Sequence, residues 1–317
     1  MLDLSAMDTS KAKRSDIYSP PRRQYQQITQ EYDPALKALW MSMMPTNIPC
    51  FNQALVEEIH HAFHLLDEKE GNFMHEDNWH PVNYCIIASR HPKVFNLGGD
   101  LALFIQLIRD KNKEALMHYA RLCVEAIYTR LEGFNARAIT LSVVQGDALG
   151  GGFEFALSSH IIIAEQGTRF GFPEILFNMF PGMGAYSLLS RKVGMRIAEE
   201  LITSGNTYKA EDLHKLGIVD IIAPSGEGKK IANDLMRKQE KQINSLRNIY
   251  RCRQLVNPVS NTELQNVISA WVDAVMLISE KDLTTMRRLA NSQRYQQEMR
   301  ILPKSSEAIY SPDLAAA

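Results

Sequence analysis

Val144–Pro181, VQGDALGGGFEFALSSHIIIAEQGTRFGFPEILFNMFP, sets the pattern for the whole chain. An apolar strand, Ala138 to Val144, runs into Gly146 and Asp147 and then Gly150, Gly151 and Gly152, and the chain turns at once into an apolar helix carrying Glu154. Three consecutive glycines let a backbone approach closely and leave bare N–H groups facing a cavity, and the helix N-terminus behind them adds partial positive charge. Such a site stabilises a developing oxyanion. A second strand (His160 to Ala164), a Gly/Phe turn and a helix opened by Pro173 and Glu174 complete one winding, so Glu174 returns to the cleft of Glu154. Two N–H donors and two carboxylates are the parts needed to hold and protonate a thioester enolate.

On the N-terminal side, residues 1–23 are polar and read as a mobile tail. Two strand-like runs between Tyr25 and Met43 flank an Asp33-Pro34 turn and predict a hairpin. Leu55, Ile59, Phe63 and Leu66 are spaced for one buried face of a helix over Asn52–Glu70, and a strand over Val82–Ser89 follows. That strand runs into HPKVFNLGGDLALFIQLIRD, a second glycine turn at a strand-to-helix junction, with Asp100 as N-cap of a helix from Leu101. A helix over Asn112–Leu131, closed by Gly133, precedes the central stretch. Beyond it, helices over Gly184–Arg191 and Arg196–Ser204, a helix start at Lys209–Asp212 and a strand over Ile218–Ala223 continue the alternation. Strands alternating with helices predict an α/β core over 24–225 with parallel pairing. From about 226 to 317 the pattern is helical; Lys229–Arg253 carries eight basic residues against two acidic ones, a surface that suits an acidic partner.

Composition narrows the function classes. At 317 residues with 45% apolar content and a net charge of −1, the chain can bury one large core. A pI near 6.8 argues against nucleic acid as the main partner. No apolar run approaches the roughly 18 residues of a membrane span, and MLDLSAMDTSKAKR lacks the apolar run of a secretory signal, so the expected address is cytoplasmic. Cys50, Cys85, Cys123 and Cys252 are scattered and read as buried free thiols. His60 and His64, four apart on a helix, have no acidic ligand pattern beside them; neither a metal nor an organic cofactor is expected.

Three motifs in order, FNLGGDL, GDALGGGFEFA and FGFPEILFNMFPGMG, resemble the crotonase (enoyl-CoA hydratase/isomerase) superfamily over about residues 25–300. The resemblance implies a spiral of repeated ββα turns, a C-terminal helical region that helps cover the active site, and a homotrimer or other homo-oligomer. Its two oxyanion donors match the backbone N–H groups of Gly99 and Gly151, and its catalytic carboxylates match Glu154 and Glu174. Met183, Trp271 and Leu289 fall where the family's active-site loop and covering helices line an acyl tunnel. Asn96-Leu97 replaces the usual alanine or serine of the first turn, and His160 replaces the aspartate that often ends the second helix. These departures, with the long NLGGDLALFIQLI helix, are similar to the diffusible signal factor synthases. That likeness implies dehydration of a 3-hydroxyacyl group on acyl carrier protein, then thioester hydrolysis releasing a cis-2-unsaturated fatty acid for quorum sensing. A conventional enoyl-CoA hydratase or isomerase acting on acyl-CoA, and a protein that keeps the fold but sequesters a signalling regulator, are the competing readings. Which glutamate is acid and which is base stays open at this level. Glu154 in a first helical turn also complements the macrodipole, and Pro173-Glu174 also starts a helix; the presence of both glycine turns favours catalysis.

Overall fold

The computed structural model describes residues 24–298, so the expected tail over 1–23 and the end of the chain from Pro303 lie outside the described residues. The predicted hairpin forms: β1 (Ile28–Asp33) and β2 (Ala38–Met43) pair antiparallel, and the Asp33 side chain accepts from the N–H groups of Ala35 and Leu36 in the turn. Helix α1 (Gln53–Glu68) is capped by Asn52, which accepts from Leu55 N–H, and buries the expected Leu55, Ile59, Phe63 and Leu66. A small hairpin, β3 (Asn72–His75) and β4 (Asn78–Pro81), was not expected. Its two-residue turn places Glu76 and Asp77 at φ +47° and +60°. That conformation normally announces itself as Asn-Gly, so an acidic pair there is silent in sequence.

The chain then alternates between two sheets. Strand β5 (Tyr84–Ser89) joins the large sheet and β6 (Val94–Asn96) the small one, followed by α2 (Leu101–Arg109), α3 (Lys113–Leu131) and the short turn α4 (Gly133–Ala136). The next winding repeats this with β7 (Ile139–Val144), β8 (Asp147–Leu149) and α5 (Gly151–Leu157), and the third begins with β9 (Ile161–Glu165) and β10 (Arg169–Gly171). A 3-10 turn, Pro173–Phe177, comes where a helix was expected, followed by α6 (Ala185–Val193), α7 (Met195–Thr203), β11 (Thr207–Lys209), α8 (Ala210–Lys215) and β12 (Ile221–Ala223). The large sheet has the order β1-β2-β5-β7-β9-β12, parallel except for the hairpin; the small one runs β11-β10-β8-β6. One strand in each sheet per winding is the ββα spiral.

The region after 226 forms α9 (Gly228–Gln239), α10 (Ile243–Val256), α11 (Asn261–Val275) and α12 (Glu280–Glu298), and its helices pack in two places. Helix α9 lays Ala232 and Met236 against the face of the large sheet formed by Trp40, Ile86, Leu141 and Ile163. Helices α11 and α12 pack on the other side, in the main core with α2 and α3. Part of the basic run makes contacts within the chain: Lys229 lies over Trp40, Arg247 donates to Asn83 Oδ1 at 2.6 Å, and Arg253 lies over Tyr250. Cys50, Cys85 and Cys123 are buried as expected, whereas Cys252 is exposed because α10 buries none of its residues. Among the described residues no helix is long and apolar enough to cross a membrane.

Candidate active site

The first glycine turn follows β6. Asn96 is buried, and its Oδ1 accepts from Gly98 N–H at 2.8 Å, an Asx turn that bends the strand end. Leu97 N–H donates to Pro49 O and Phe51 N–H to Gly98 O, tying the turn to the segment before α1. Asp100 caps α2 through the N–H groups of Ala102 and Leu103, the role the sequence assigned to it.

The second turn follows β8 and touches the first. Gly98 has φ +85°, and a Cβ there would lie 2.9 Å from Leu149 O and 3.0 Å from Gly151 N. Only glycine lets the two backbones come this close. Gly150 N–H donates to Gly171 O, and Phe153 and Glu154 donate to Gly150 O, which leaves the Gly99 and Gly151 N–H groups outside these bonds. Both glycines border one cavity, with Glu154 and Glu174 on its wall.

Glu154 is 1% exposed on the first turn of α5. Its Oε1 accepts from Met183 N–H at 2.7 Å and Ala185 N–H at 2.9 Å, which fixes the carboxyl and leaves Oε2 for other work. Glu174 lies on the 3-10 turn; its residue is partly exposed, but its Oε2 is buried and has no hydrogen-bond partner. A Cβ at Gly150 would collide with Glu174 Oε1, so that glycine makes room for the carboxyl. Burial pushes Glu154 up to about 7, with the two backbone donors pulling the other way. Burial, and then the neighbouring Glu154, push Glu174 up to about 8. The environments thus separate the pair: charge is better supported on Glu154, and Glu174 keeps its proton longer.

This arrangement fixes a stability trend. Both carboxyls hold protons in the folded chain that the unfolded chain gives up above about 4.5, so stability falls as pH rises from there to about 8. Glu174→Gln removes part of that loss. Its melting temperature should match that of the parent at pH 5 and exceed it by several degrees at pH 9 in calorimetry.

The rest of the cavity wall is mostly apolar. Leu101, Phe104, Trp271, Val275 and Met286 surround it, with Phe104 edge-on to Trp271 at 5.3 Å. Of the three residues expected to line an acyl tunnel, Met183 and Trp271 reach the cavity. Leu289 does not; it is half-buried on the main core, and Met286, one turn earlier on α12, takes the wall position. Nothing in the sequence distinguishes those two apolar residues, three apart on one helix. Tyr119 and Cys123 on α3 also line the cavity and were missed, since at helical spacing they read as ordinary core. The cavity measures about 50 Å³, room for a few waters and well below the roughly 300 Å³ of a small-ligand pocket. An acyl chain therefore requires its walls to part.

The other polar residues noted in the sequence are elsewhere. His160 sits beyond the far end of α5, accepts from Thr140 N–H at 3.0 Å, stacks on Tyr250, and is pushed by burial down to about 3, so it is a neutral structural link. His60 bonds Glu125 at 2.7 Å and stacks parallel to His64; among the described residues no cluster of three metal-ligating side chains occurs.

Two sheets wound as a ββα spiral, with paired glycine turns beside two carboxyls on one cavity, define the class of fold. The profile of the family described as enoyl-CoA hydratase/isomerase matches residues 41–282, and the chain belongs to that family, the crotonases, which act on acyl thioesters such as those of CoA. It is 31% identical over 144 residues to the 2,3-dehydroadipyl-CoA hydratase of Escherichia coli, covering 45% of this chain and 52% of that one. It is 26% identical over 189 residues to the glyoxysomal fatty acid beta-oxidation multifunctional protein MFP-a of Brassica napus, covering 58% of this chain and 25% of that one. The chain thus spans between a quarter and about half of these curated relatives. Among solved structures, DspI of Pseudomonas aeruginosa superposes with a TM-score of 0.61 at 23% identity, over 82% of this chain and 91% of the other. A putative enoyl-CoA hydratase of Streptomyces avermitilis does so with 0.69 at 16%, over 89% and 99%. These two likenesses speak to the fold.

Proposed function

We propose that this protein dehydrates a 3-hydroxyacyl group carried by acyl carrier protein and then hydrolyses the thioester, releasing a cis-2-unsaturated fatty acid as a quorum-sensing signal in the cytoplasm. The observation that carries the reading is the carboxyl pair, split in proton affinity, beside two glycine turns on a cavity whose remaining wall is mostly apolar. In the dehydration, one carboxylate takes the C2 proton while the thioester oxygen, held by Gly99 and Gly151 N–H, carries the enolate charge. The other carboxyl protonates the C3 hydroxyl, the C3–O bond breaks, and water leaves. One proton remains on the pair, now on the opposite member. In the hydrolysis, water attacks the carbonyl carbon, the same donors hold the tetrahedral oxyanion, and a glutamate passes the water's proton to the departing thiolate. The motif resemblance to diffusible signal factor synthases, together with the aromatic wall of Phe104 and Trp271, supports an acyl group as the ligand. Assembly as a homo-oligomer belongs to the same proposal.

The test is incubation of the purified protein with a 3-hydroxyacyl carrier protein, followed by mass spectrometry. Free 2-enoic acid in the cis form is the expected product. The second reading, a conventional hydratase acting on enoyl-CoA, is favoured by the hydratase relatives; rapid hydration of crotonyl-CoA with no acid released would establish it and end the first.

A further inference from the structure

The turn from Leu97 to Gly99 is held by its polar groups one at a time. Leu97 N–H donates to Pro49 O at 2.8 Å, Gly98 N–H to Asn96 Oδ1 at 2.8 Å, and Gly98 O accepts from Phe51 N–H at 2.7 Å. The other two carbonyls, Leu97 O and Gly99 O, accept from a single amide: Nε2 of Gln293, at 3.1 and 3.2 Å. Gln293 is 9% exposed and lies on α12. The Gly99 N–H stays outside all of these bonds.

Helix α12 touches both halves of the site. Near its start, Asp282 accepts from Asn178 Nδ2 at 3.4 Å, next to the 3-10 turn of Glu174. Met286 forms cavity wall, and two turns later Gln293 grips the glycine turn. We infer that Gln293 is a positioning residue: by fixing the carbonyls on either side, it aims the Gly99 N–H into the cavity. The inference rests on the reading of Gly99 as an oxyanion donor. Because Met286 shares the helix, movement of this wall is tied to the clasp. The fork of a primary amide matters here. Methionine has the same reach and no N–H, and glutamate would set its oxygens against two carbonyl oxygens.

The test compares Gln293→Met with the parent, using as ligand the N-octanoyl amide analogue of pantetheine carrying ¹³C at its carbonyl, which is not turned over. In the parent, the infrared band of the bound carbonyl should lie below that of the free ligand, because hydrogen bonds weaken the C=O bond. Gln293→Met should return the band toward the free position and lower kcat for 3-hydroxyacyl-pantetheine dehydration by about 10- to 100-fold, less than the roughly 10²- to 10³-fold cost of losing an oxyanion donor outright, with KM little changed. Leu283→Ala, a core change on the same helix, should lower the melting temperature without moving the band. A band in Gln293→Met at the parent position overturns the inference, whether kcat holds or falls along with stability. A parent spectrum without the shift overturns the oxyanion reading, and this inference falls with it.

Discussion

Glu154→Gln should lower turnover of a 3-hydroxyacyl thioester by about 10³-fold while the protein stays folded, because proton transfer by a placed side chain contributes on the order of 10² to 10⁴. The substitution is conservative where structure is concerned: glutamine Oε1 can still accept from the N–H groups of Met183 and Ala185. What disappears is the basic oxygen. The melting temperature should be unchanged or higher at pH 8, since a buried group that resists ionisation has been made neutral. On the proposed mechanism the working pair holds one proton. Rate should therefore fall on the acid side as Glu154 gains a proton near 7, and on the alkaline side as Glu174 loses one near 8. Steady-state assays across pH 5 to 9 would show this narrow bell. A loss of only a few fold in Glu154→Gln would remove the residue from the chemistry.

Gly152→Ala should be as damaging by a different route. A Cβ at 152 would collide with Asn96 O and lie 2.8 Å from Asn96 C. Neither atom can yield, because Asn96 pairs with Ala148 on the neighbouring strand while its side chain shapes the glycine turn. The two turns would be forced apart at the point where Gly98 and Gly151 touch, displacing both candidate oxyanion donors. Losing one such donor typically costs 10²- to 10³-fold in rate, and overpacking of this kind costs about 1–3 kcal/mol of stability. Gly151→Ala makes the useful contrast, since its Cβ would meet Met183 Sδ at 2.7 Å, the mobile end of a side chain. Calorimetry should rank Gly152→Ala well below Gly151→Ala. Activity above a tenth of the parent in Gly152→Ala would show that the turns tolerate separation.

Much of this architecture could be read from the residues, because local chemistry announced it. Asn52, Asp100 and Asn112 each cap the helix expected behind them, and both glycine turns stand at strand-to-helix junctions where the backbone has to come close. The hairpin at Glu76-Asp77 gave no signal, since its turn uses residues that rarely take positive φ. Glu154 and Glu174 do border one cavity, but their different hydrogen-bond supplies come from Met183, Ala185 and Gly150, which no local pattern connects. Leu289 and Met286 show the limit for apolar walls: helical spacing says which face is buried and not which residue on it meets a void. Gln293 was invisible for the same reason. A glutamine late in a polar helix looks like any solvated side chain until the fold brings Leu97 to it.

The clasp between Gln293 and Gly99 joins positions 194 apart in sequence. A ribosome making this protein lays down both glutamates, both glycine turns and the entire large sheet long before it reaches α11 and α12, and domains tend to fold as they emerge. The nascent chain therefore passes through a stage in which the spiral can already be formed while Trp271, Val275 and Met286 are still to arrive and the greasy trough between the sheets and α3 stands open. On the proposed function the site is complete only once α12 docks, so a polypeptide released near residue 279 would carry both glutamates and both glycine turns without the wall of Met286 or the clasp of Gln293.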